Sequence, residues 1–291
     1  MDRAREWYNN SMRIQSKDKF VVKTTVTTAT NETVSDFLAA RSGLSKTKVK
    51  EAMNKGAVWV RKKKSGLKRI RRATAALAPG DYLELYYDDK VLSAAPPQGV
   101  LLSDRQHYSI WLKPPGLMSQ GTMYGDHCSL VRQAEVRFGP GRDTFLVHRL
   151  DREASGVMLL AHSREAAARL SELFRKHRIV KGYRVEVLGS LGKKGTKEII
   201  ELPLDGKPAR TEYEVVRYRP ESDTTEAKVV ITTGRLHQIR RHFDMIGHPV
   251  MGDPKYGTGN KNTEGMRLTA VSLRFPCPFQ DREVEFTAPE L

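Results

Sequence analysis

The sequence of 291 residues is poor in cysteine, in long apolar runs and in acidic charge. Cys128 and Cys277 are its only cysteines, far apart and without histidine pairs at ligand spacing. That excludes a disulfide framework and a metal site of the zinc type, and predicts two reduced core thiols in a cytoplasmic protein. No apolar stretch approaches the roughly 20 residues that span a bilayer. The opening MDRAREWYNNSMRIQSKDKF has neither the apolar core nor the cleavage site of a signal peptide, so no membrane attachment is expected. Aspartate and glutamate number 34 against 50 lysines and arginines, a net charge of +16. A field of that sign draws polyanions, and with the membrane set aside the expected partner is nucleic acid.

The positive charge is concentrated. From Arg61 to Arg72, RKKKSGLKRIRR carries eight basic side chains in twelve positions and no acidic one. Such a run is either a solvated loop or a nucleic-acid contact, and its flanks matter. Upstream, VSDFLAARSGLSKTKVKEAMNKGAVWV reads as two short helices and a strand. Val34, Phe37 and Leu38 share a face of the first helix; Ser45 caps the second, which turns Val49, Ala52 and Met53 inward and ends at Gly56. Downstream, ALAPGDYLELYYDD is a Pro-Gly turn and a strand. The run is thus expected as a loop within a small folded unit, residues 20–88, preceded by an extension over 1–19. VSDFLAA, LSKTKVKEAMNKGAVWV and LAPGDYLEL resemble pieces of the S-four-type RNA-binding domain. The resemblance implies that Lys62, Lys63, Lys64, Lys68, Arg69, Arg71 and Arg72 face RNA. Lys46, Lys48, Lys50 and Lys55 would add to the same face and touch phosphates rather than bases.

DKVLSAAPPQGV, residues 89–100, reads as a linker of small residues and paired prolines. A second domain is expected over 101–291. HYSIWLK, TFLVHRL, GVMLLA, YRVEVLG, RTEYEVVRY, EAKVVITT and VSLRF have strand length and strand pattern. SREAAARLSELFRKH is a helix capped by Ser163, with Ala167, Leu170 and Phe174 on one stripe. RLHQIRRHFDMIG is a helix ending at Gly247, with Leu236, Ile239, Phe243 and Ile246 inward. The mixture predicts an α+β fold: a small N-terminal α/β-hairpin domain, then a largely antiparallel mixed sheet flanked by helices.

One short stretch puts charge between two apolar runs. In HRLDREASG, His148 to Gly156, Asp151 is either a turn-former bonded to backbone amides or a buried charge that needs a cation. At 100° per residue Arg240 falls at the edge of the apolar stripe of its helix, while Gln238 and Arg241 point away. An inward arginine keeps its charge and requires a carboxylate or phosphate, unless it snorkels to solvent. Asp151 is a natural partner, but spacing alone does not fix the pair.

HRLDREASG resembles the signature of the RluA-type pseudouridine synthases. WLKPPGL, KGYRVEVLG, PLDGKPARTEYEVV and TTGRLHQIRRHFDMIGHPVMGDPKYG are similar to further motifs of that family, in the same order, over roughly residues 100 to 290. The resemblance implies an RNA pseudouridine synthase that isomerises uridine in ribosomal or transfer RNA. Asp151 would act on the ribose as nucleophile or proton acceptor, Tyr183 would stack on the base, and Arg240 would hold the Asp151 carboxylate ionised. Arg149 would contact RNA or fill the space of the extruded nucleotide. Lys113 would either support the turn at Pro114-Pro115-Gly116 or touch RNA. No cofactor is implied, since the reaction is an isomerisation without redox change, and the expected partner is structured RNA bound by a monomer. His148 is expected as a packing residue and Ser155 as a turn hydrogen bonder. The sequence departs from the pattern at Ala154 and Leu236, where threonine is usual, and at Thr269, where histidine is usual. Two other readings stay open: an RNA-binding or assembly factor that has the fold without activity, and an N-glycosidase, which would release free uracil.

Overall fold

The computed structural model describes residues 11–16, 18–63 and 65–289. Residues 1–10 of the expected extension, and Lys64 of the basic run, lie outside the described residues. The chain divides into two units: one holds the residues up to Pro96 together with Gln120–Arg132, the other Pro97–Ser119 and the chain from Gln133 onward.

The first unit is an antiparallel sheet of β1 (Ser11–Ser16), β2 (Lys19–Thr25), β3 (Val58–Arg61), β4 (Lys68–Arg69) and β5 (Tyr82–Asp88), in the order β1-β2-β5-β3-β4. Two helices, Val34–Ser42 and Lys46–Asn54, pack on it. Each starts where a hydroxyl accepts an otherwise orphaned amide: Thr33 from Asp36 and Ser45 from Lys48. Gly43, at φ 71°, ends the first by entering the left-handed region that a side chain would disfavour. Val34, Phe37, Leu38, Val49, Ala52 and Met53 meet Val22, Val58, Leu83 and Leu85 in one core.

Three boundaries differ from the sequence reading. The described half of the N-terminal extension is an edge strand, with Met12 opposite Val22. The basic run is partly a hairpin rather than a loop throughout, with Trp59 opposite Arg69 and Val60 opposite Lys68. The linker opens with a helical turn, Asp89–Leu92, capped by Asp88. In addition, residues 120–132, expected in the second domain, belong to the first unit. There Trp59 donates its indole N–H to Met123 O at 3.0 Å, the Asp126 amide donates to Lys55 O at 2.9 Å, and Arg71 pairs with the Asp126 carboxylate.

The second unit carries β6 (Val100–Asp104), β7 (Tyr108–Lys113), β8 (Phe145–Leu146), β9 (Ser155–Ala161), β10 (Val180–Leu188), β11 (Lys197–Ile200), β12 (Thr211–Arg219), β13 (Thr224–Ile231), β14 (Leu268–Pro276) and β15 (Glu283–Thr287). The main path is β11-β12-β13-β10-β14-β9-β7-β6, with β8 paired to β9 and β15 to β14. All pairings are antiparallel except β14 with β9, where Thr269 lies opposite Ser155 and Ala270 opposite Gly156. A Cβ at Gly156, whose φ is 120°, would run into the Ala270 backbone, so this crossing requires glycine. The helix Arg164–Arg175, capped by Ser163, covers this sheet with Ala166, Leu170 and Leu173. The architecture is α+β with a mostly antiparallel sheet. Among the described residues no helix is long and apolar enough to cross a membrane.

TFLVHRL yields only the two residues of β8, because the chain then turns into the HRLD stretch. β6, β11, β15 and the helix Leu130–Phe138 lie outside the sequence reading. β11 is an edge strand with only Ile200 buried, so it carries no apolar alternation.

Candidate active site

The seam where β14 joins β9 to β10 opens into a cleft of about 590 Å³. Its walls are the turn before β9, the inward face of β10 and the loop leading into the helix Gln238–Met245. Asp151, Tyr183, Arg149 and Arg240 all line it.

The turn carrying Asp151 is pinned from the segment after β7. Ser119 Oγ donates to Leu150 O at 2.6 Å and accepts the Leu150 amide at 3.0 Å. The Gly116 amide donates to Arg152 O at 2.8 Å. Lys113 is fully buried and gives its ammonium to three carbonyls, Pro114 at 3.1 Å, Leu117 at 2.7 Å and Arg152 at 3.2 Å. Burial pushes its amine down to about 8, against the pull of Glu153 and Asp151. Of the two sequence readings for Lys113, the turn is the observed one; a side chain enclosed in this way cannot reach RNA.

Arg240 is 2 % exposed and carries three charge-assisted hydrogen bonds. Nη1 donates to Asp151 Oδ2 at 2.8 Å; Nε and Nη2 donate to the two oxygens of Asp253 at 2.6 and 2.7 Å. Burial works against the guanidinium charge, but the bonds to Asp253 and Asp151 outweigh it and hold its pKa above the ordinary arginine range. Asp253 is wholly buried and also accepts the amides of Lys255 and Tyr256, at 2.8 and 3.0 Å. Burial would raise its carboxyl, yet Arg240 and those two amides bring it below the usual value. Asp253 is the site residue that sequence reasoning missed.

Asp151 Oδ1 faces the cleft, with His237 Nε2 3.8 Å away. His237 has φ 53°, a strained backbone for a side-chain residue, and its Nδ1 lies 2.9 Å from the Tyr256 hydroxyl. Burial keeps its imidazole below the ordinary histidine pKa, with Asp151 pulling the other way. Tyr183 is buried on β10, and desolvation, with Asp151 second, holds its hydroxyl far above the usual tyrosine range. His148 stacks on Phe174 at 4.7 Å and accepts the Leu159 amide at 2.9 Å. Burial, with Lys181 second, drives its imidazole down to about 3, which suits a neutral packing residue. Ser155 Oγ lies 2.9 Å from Thr269 Oγ1, so the two hydroxyls satisfy each other across the β9–β14 contact.

Two orientations in the Arg240 helix differ from the projection. Leu236 is 54 % exposed rather than inward, and Gln238 is buried rather than outward. The helix begins only at Gln238, after a left-handed residue, so Leu236 lies outside it, and Gln238, at its first position, turns back into the preceding loop. Gln238 accepts from Thr233 Oγ1 at 2.8 Å and from the Arg235 amide at 3.1 Å, and donates to Arg210 O at 2.9 Å, fixing the loop that precedes Arg240.

The expected basic face of the first unit divides. Lys50, Lys62, Lys63, Lys68 and Arg72 are exposed. Arg69 stacks on Trp59 and donates to Gly56 O and Thr122 O, and Arg71 donates to Asn54 O and Asp126, so both serve the unit's own packing. Lys46 pairs with Asp36 at 2.5 Å, whereas Lys48 leans toward Asp89, and Lys55 donates to Leu92 O. The four lysines therefore do not share one face: Lys46 and Lys50, four residues apart, lie on one side of the helix axis, and Lys48 and Lys55, seven apart, on another.

Residues 107–245 match the family described as RNA pseudouridylate synthase, a segment that includes Asp151, Tyr183 and Arg240 but not Asp253. The dual-specificity RNA pseudouridine synthase RluA of Escherichia coli K12 is 33 % identical over 216 residues, 67 % of this chain and 95 % of that one. The ribosomal large subunit pseudouridine synthase C of Vibrio vulnificus is 27 % identical over 274 residues, 84 % of each chain. Among solved structures, human RNA pseudouridylate synthase domain containing 1 shares the fold, with a TM-score of 0.56 at 22 % identity over 68 % of this chain and 86 % of that one. The chain belongs to the RNA pseudouridine synthase family, isomerases that act on uridine in RNA.

Proposed function

We propose that this chain isomerises uridine in structured ribosomal or transfer RNA, with Asp151 as the residue that acts on the ribose. The observation that carries this reading is the contact of Asp151 Oδ2 with the buried Arg240 at 2.8 Å, inside a cleft that Tyr183 also lines. Arg240 fixes one carboxylate oxygen and leaves Oδ1 turned toward the cleft, as a group that must approach C1′ or the C2′ proton requires. A pyrimidine ring extruded from its stack meets Tyr183, whose hydroxyl stays neutral. Arg149, exposed on the cleft wall, contacts the RNA strand there. The relative named for the ribosomal large subunit supports ribosomal RNA as substrate, and the one named for dual specificity supports more than one RNA target.

The first unit acts as an S-four-type docking module, using its exposed basic side chains, and the protein works as a cytoplasmic monomer. Extruding a base costs a few kcal/mol, and phosphate contacts by such a module help offset it. The test is conversion of uridine in bulk RNA by purified protein, mapped by carbodiimide adducts and primer extension. The parent protein is expected to introduce pseudouridine at defined sites. Asp151→Asn should bind the same RNA nearly as well and leave it unmodified. Retained turnover in that variant overturns the role of Asp151, and released uracil would indicate glycosidase chemistry instead.

A further inference from the structure

The inward face of β10 is a row of four buried side chains at the two-residue period of a strand: Lys181, Tyr183, Val185 and Val187. Lys181 is out of place in that row. It is 7 % exposed, and its cross-strand neighbours are Ile231 on β13 and Leu273 on β14, both apolar and buried. Its ammonium makes one hydrogen bond, to Thr233 O at 2.7 Å, and no carboxylate among the described residues stands at ion-pair distance. It lines the same cleft as Asp151 and Tyr183. Gly234 leaves the amine uncovered, since a Cβ there would come to 3.3 Å of Nζ. An ammonium with two spare donors and no counter-charge is costly to bury, and such groups concentrate where an anion is to be met.

We propose that Lys181 is a further catalytic residue, whose ammonium stabilises the uracil ring as an anion while the ring is detached from the ribose. The inference rests on the isomerase reading above. That reading requires such an anion whichever way Asp151 acts. If the carboxylate attacks C1′, the C1′–N1 electron pair leaves with the ring and Asp151 becomes a neutral ester. If the carboxylate takes the C2′ proton, the pair again leaves with the ring, a C1′=C2′ double bond forms and Asp151 becomes a neutral acid. Either way one negative charge moves from Asp151 to the ring. C5 of the rotated ring then bonds to C1′ as the ester bond breaks, or as C2′ regains its proton, and the charge returns to Asp151. Loss of the C5 proton and protonation of N1 complete the isomerisation without net change.

Lys181 and Arg240 are the two buried cations that line the cleft. Arg240 already balances two carboxylates. Lys181 is one strand repeat from Tyr183, roughly 7 Å along β10, at the rim of a ring stacked on that tyrosine. A fixed charged donor in a water-poor cleft acts most strongly where charge develops during the reaction.

Single-turnover rates and RNA affinity test the proposal together. Lys181→Met is expected to slow conversion at saturating RNA by roughly 10²-fold while leaving RNA affinity unchanged, and Lys181→Arg to recover part of the rate. With 5-fluorouridine at the target position, a ring that departs more readily as an anion, the deficit of Lys181→Met in substrate consumption should shrink. A Met variant as fast as the parent overturns the proposal. So does a loss confined to affinity and its salt dependence, which would make Lys181 a phosphate contact. Thermal unfolding separates a folding defect: removing an unpaired buried charge should leave Tm unchanged or raised, and a lowered Tm with reduced activity would assign Lys181 a structural role. A parent protein that converts no uridine would overturn the isomerase reading itself.

Discussion

Arg240 is bound more fully by Asp253 than by Asp151, through two hydrogen bonds of 2.6 and 2.7 Å against one of 2.8 Å. Asp253 is wholly enclosed and acts as the fixed counter-charge of the guanidinium. Asp151 keeps an oxygen toward the cleft. One carboxylate thus secures the arginine, and the arginine in turn orients the other.

That asymmetry separates two isosteric variants. Asp253→Asn leaves Arg240 buried without its bidentate partner and is expected to cost about 3–5 kcal/mol of stability. Asp151→Asn breaks a single bond at a partly open position and should cost about 1–2 kcal/mol. Urea denaturation of the two variants checks the order; equal losses would remove the distinction.

In the first unit, the basic residues should separate by task. Gln at Lys63, Lys68 or Arg72 is expected to leave unfolding unchanged. Each such variant should lower the slope of log affinity against log salt by about 1 for every phosphate it no longer neutralises. Arg71→Gln should instead lower Tm, because Asp126 is deprived of its main cation. Salt titrations of RNA binding alongside thermal melts distinguish the two groups.

The two buried lysines predict a pH effect of one sign. Burial pushes the Lys113 and Lys181 amines from 10.5 down to about 8. Below the folded pKa each is protonated in both states, and the folded protein carries the full penalty of a buried charge. Between about 8 and 10.5 the unfolded chain binds more protons than the folded one, so these groups make stability rise with pH. Lys181→Met should therefore be stabilised relative to the parent near neutrality, with the gap closing as pH approaches 10.5. The parent's turnover should fall above about pH 8 as the ammonium is lost. Of the other groups that line the cleft, burial drives His148 down to about 3 and keeps His237 below the ordinary histidine value, while Tyr183 and Arg240 are held above their usual ranges. Denaturation and rate profiles across that window are the measurement, and a gap independent of pH would count against it.

Leu236 is open to solvent at the cleft wall, so Leu236→Thr should change stability by no more than about 0.5 kcal/mol. Its effect should fall on RNA affinity. A large drop in Tm would mean that the leucine packs inward after all.

The helix pair of the first unit was legible in the sequence because local rules suffice there: a capping serine, apolar spacing and the glycine after the second helix all agree. Asp151 and Arg240 were visible as a charge between strands and a cation beside an apolar stripe. Asp253 was hidden, since the amides it accepts from Lys255 and Tyr256 are those of any turn aspartate, and its link to Arg240 is purely tertiary. Leu236 and Gln238 were misoriented because a periodic projection cannot register the left-handed residue between them. Lys181 did carry a signal, a lysine in phase with Tyr183, Val185 and Val187, but strand period alone does not say which face is buried.

The position of β14 bears on how the protein is made. β6 to β9 form one part of the sheet and β10 to β13 another, and among the described residues only β14, starting at Leu268, joins them. Until that strand leaves the ribosome, the nascent chain holds two half-sheets, with β10 and the part of β9 that β8 does not cover left as open edges, the kind of surface that invites mispairing with other chains. Asp151 and Tyr183 lie on opposite sides of the gap. The cleft cannot close around a nucleotide before the chain has been synthesised through β14, so no truncated product lacking β14 should compete with the finished protein for its substrate.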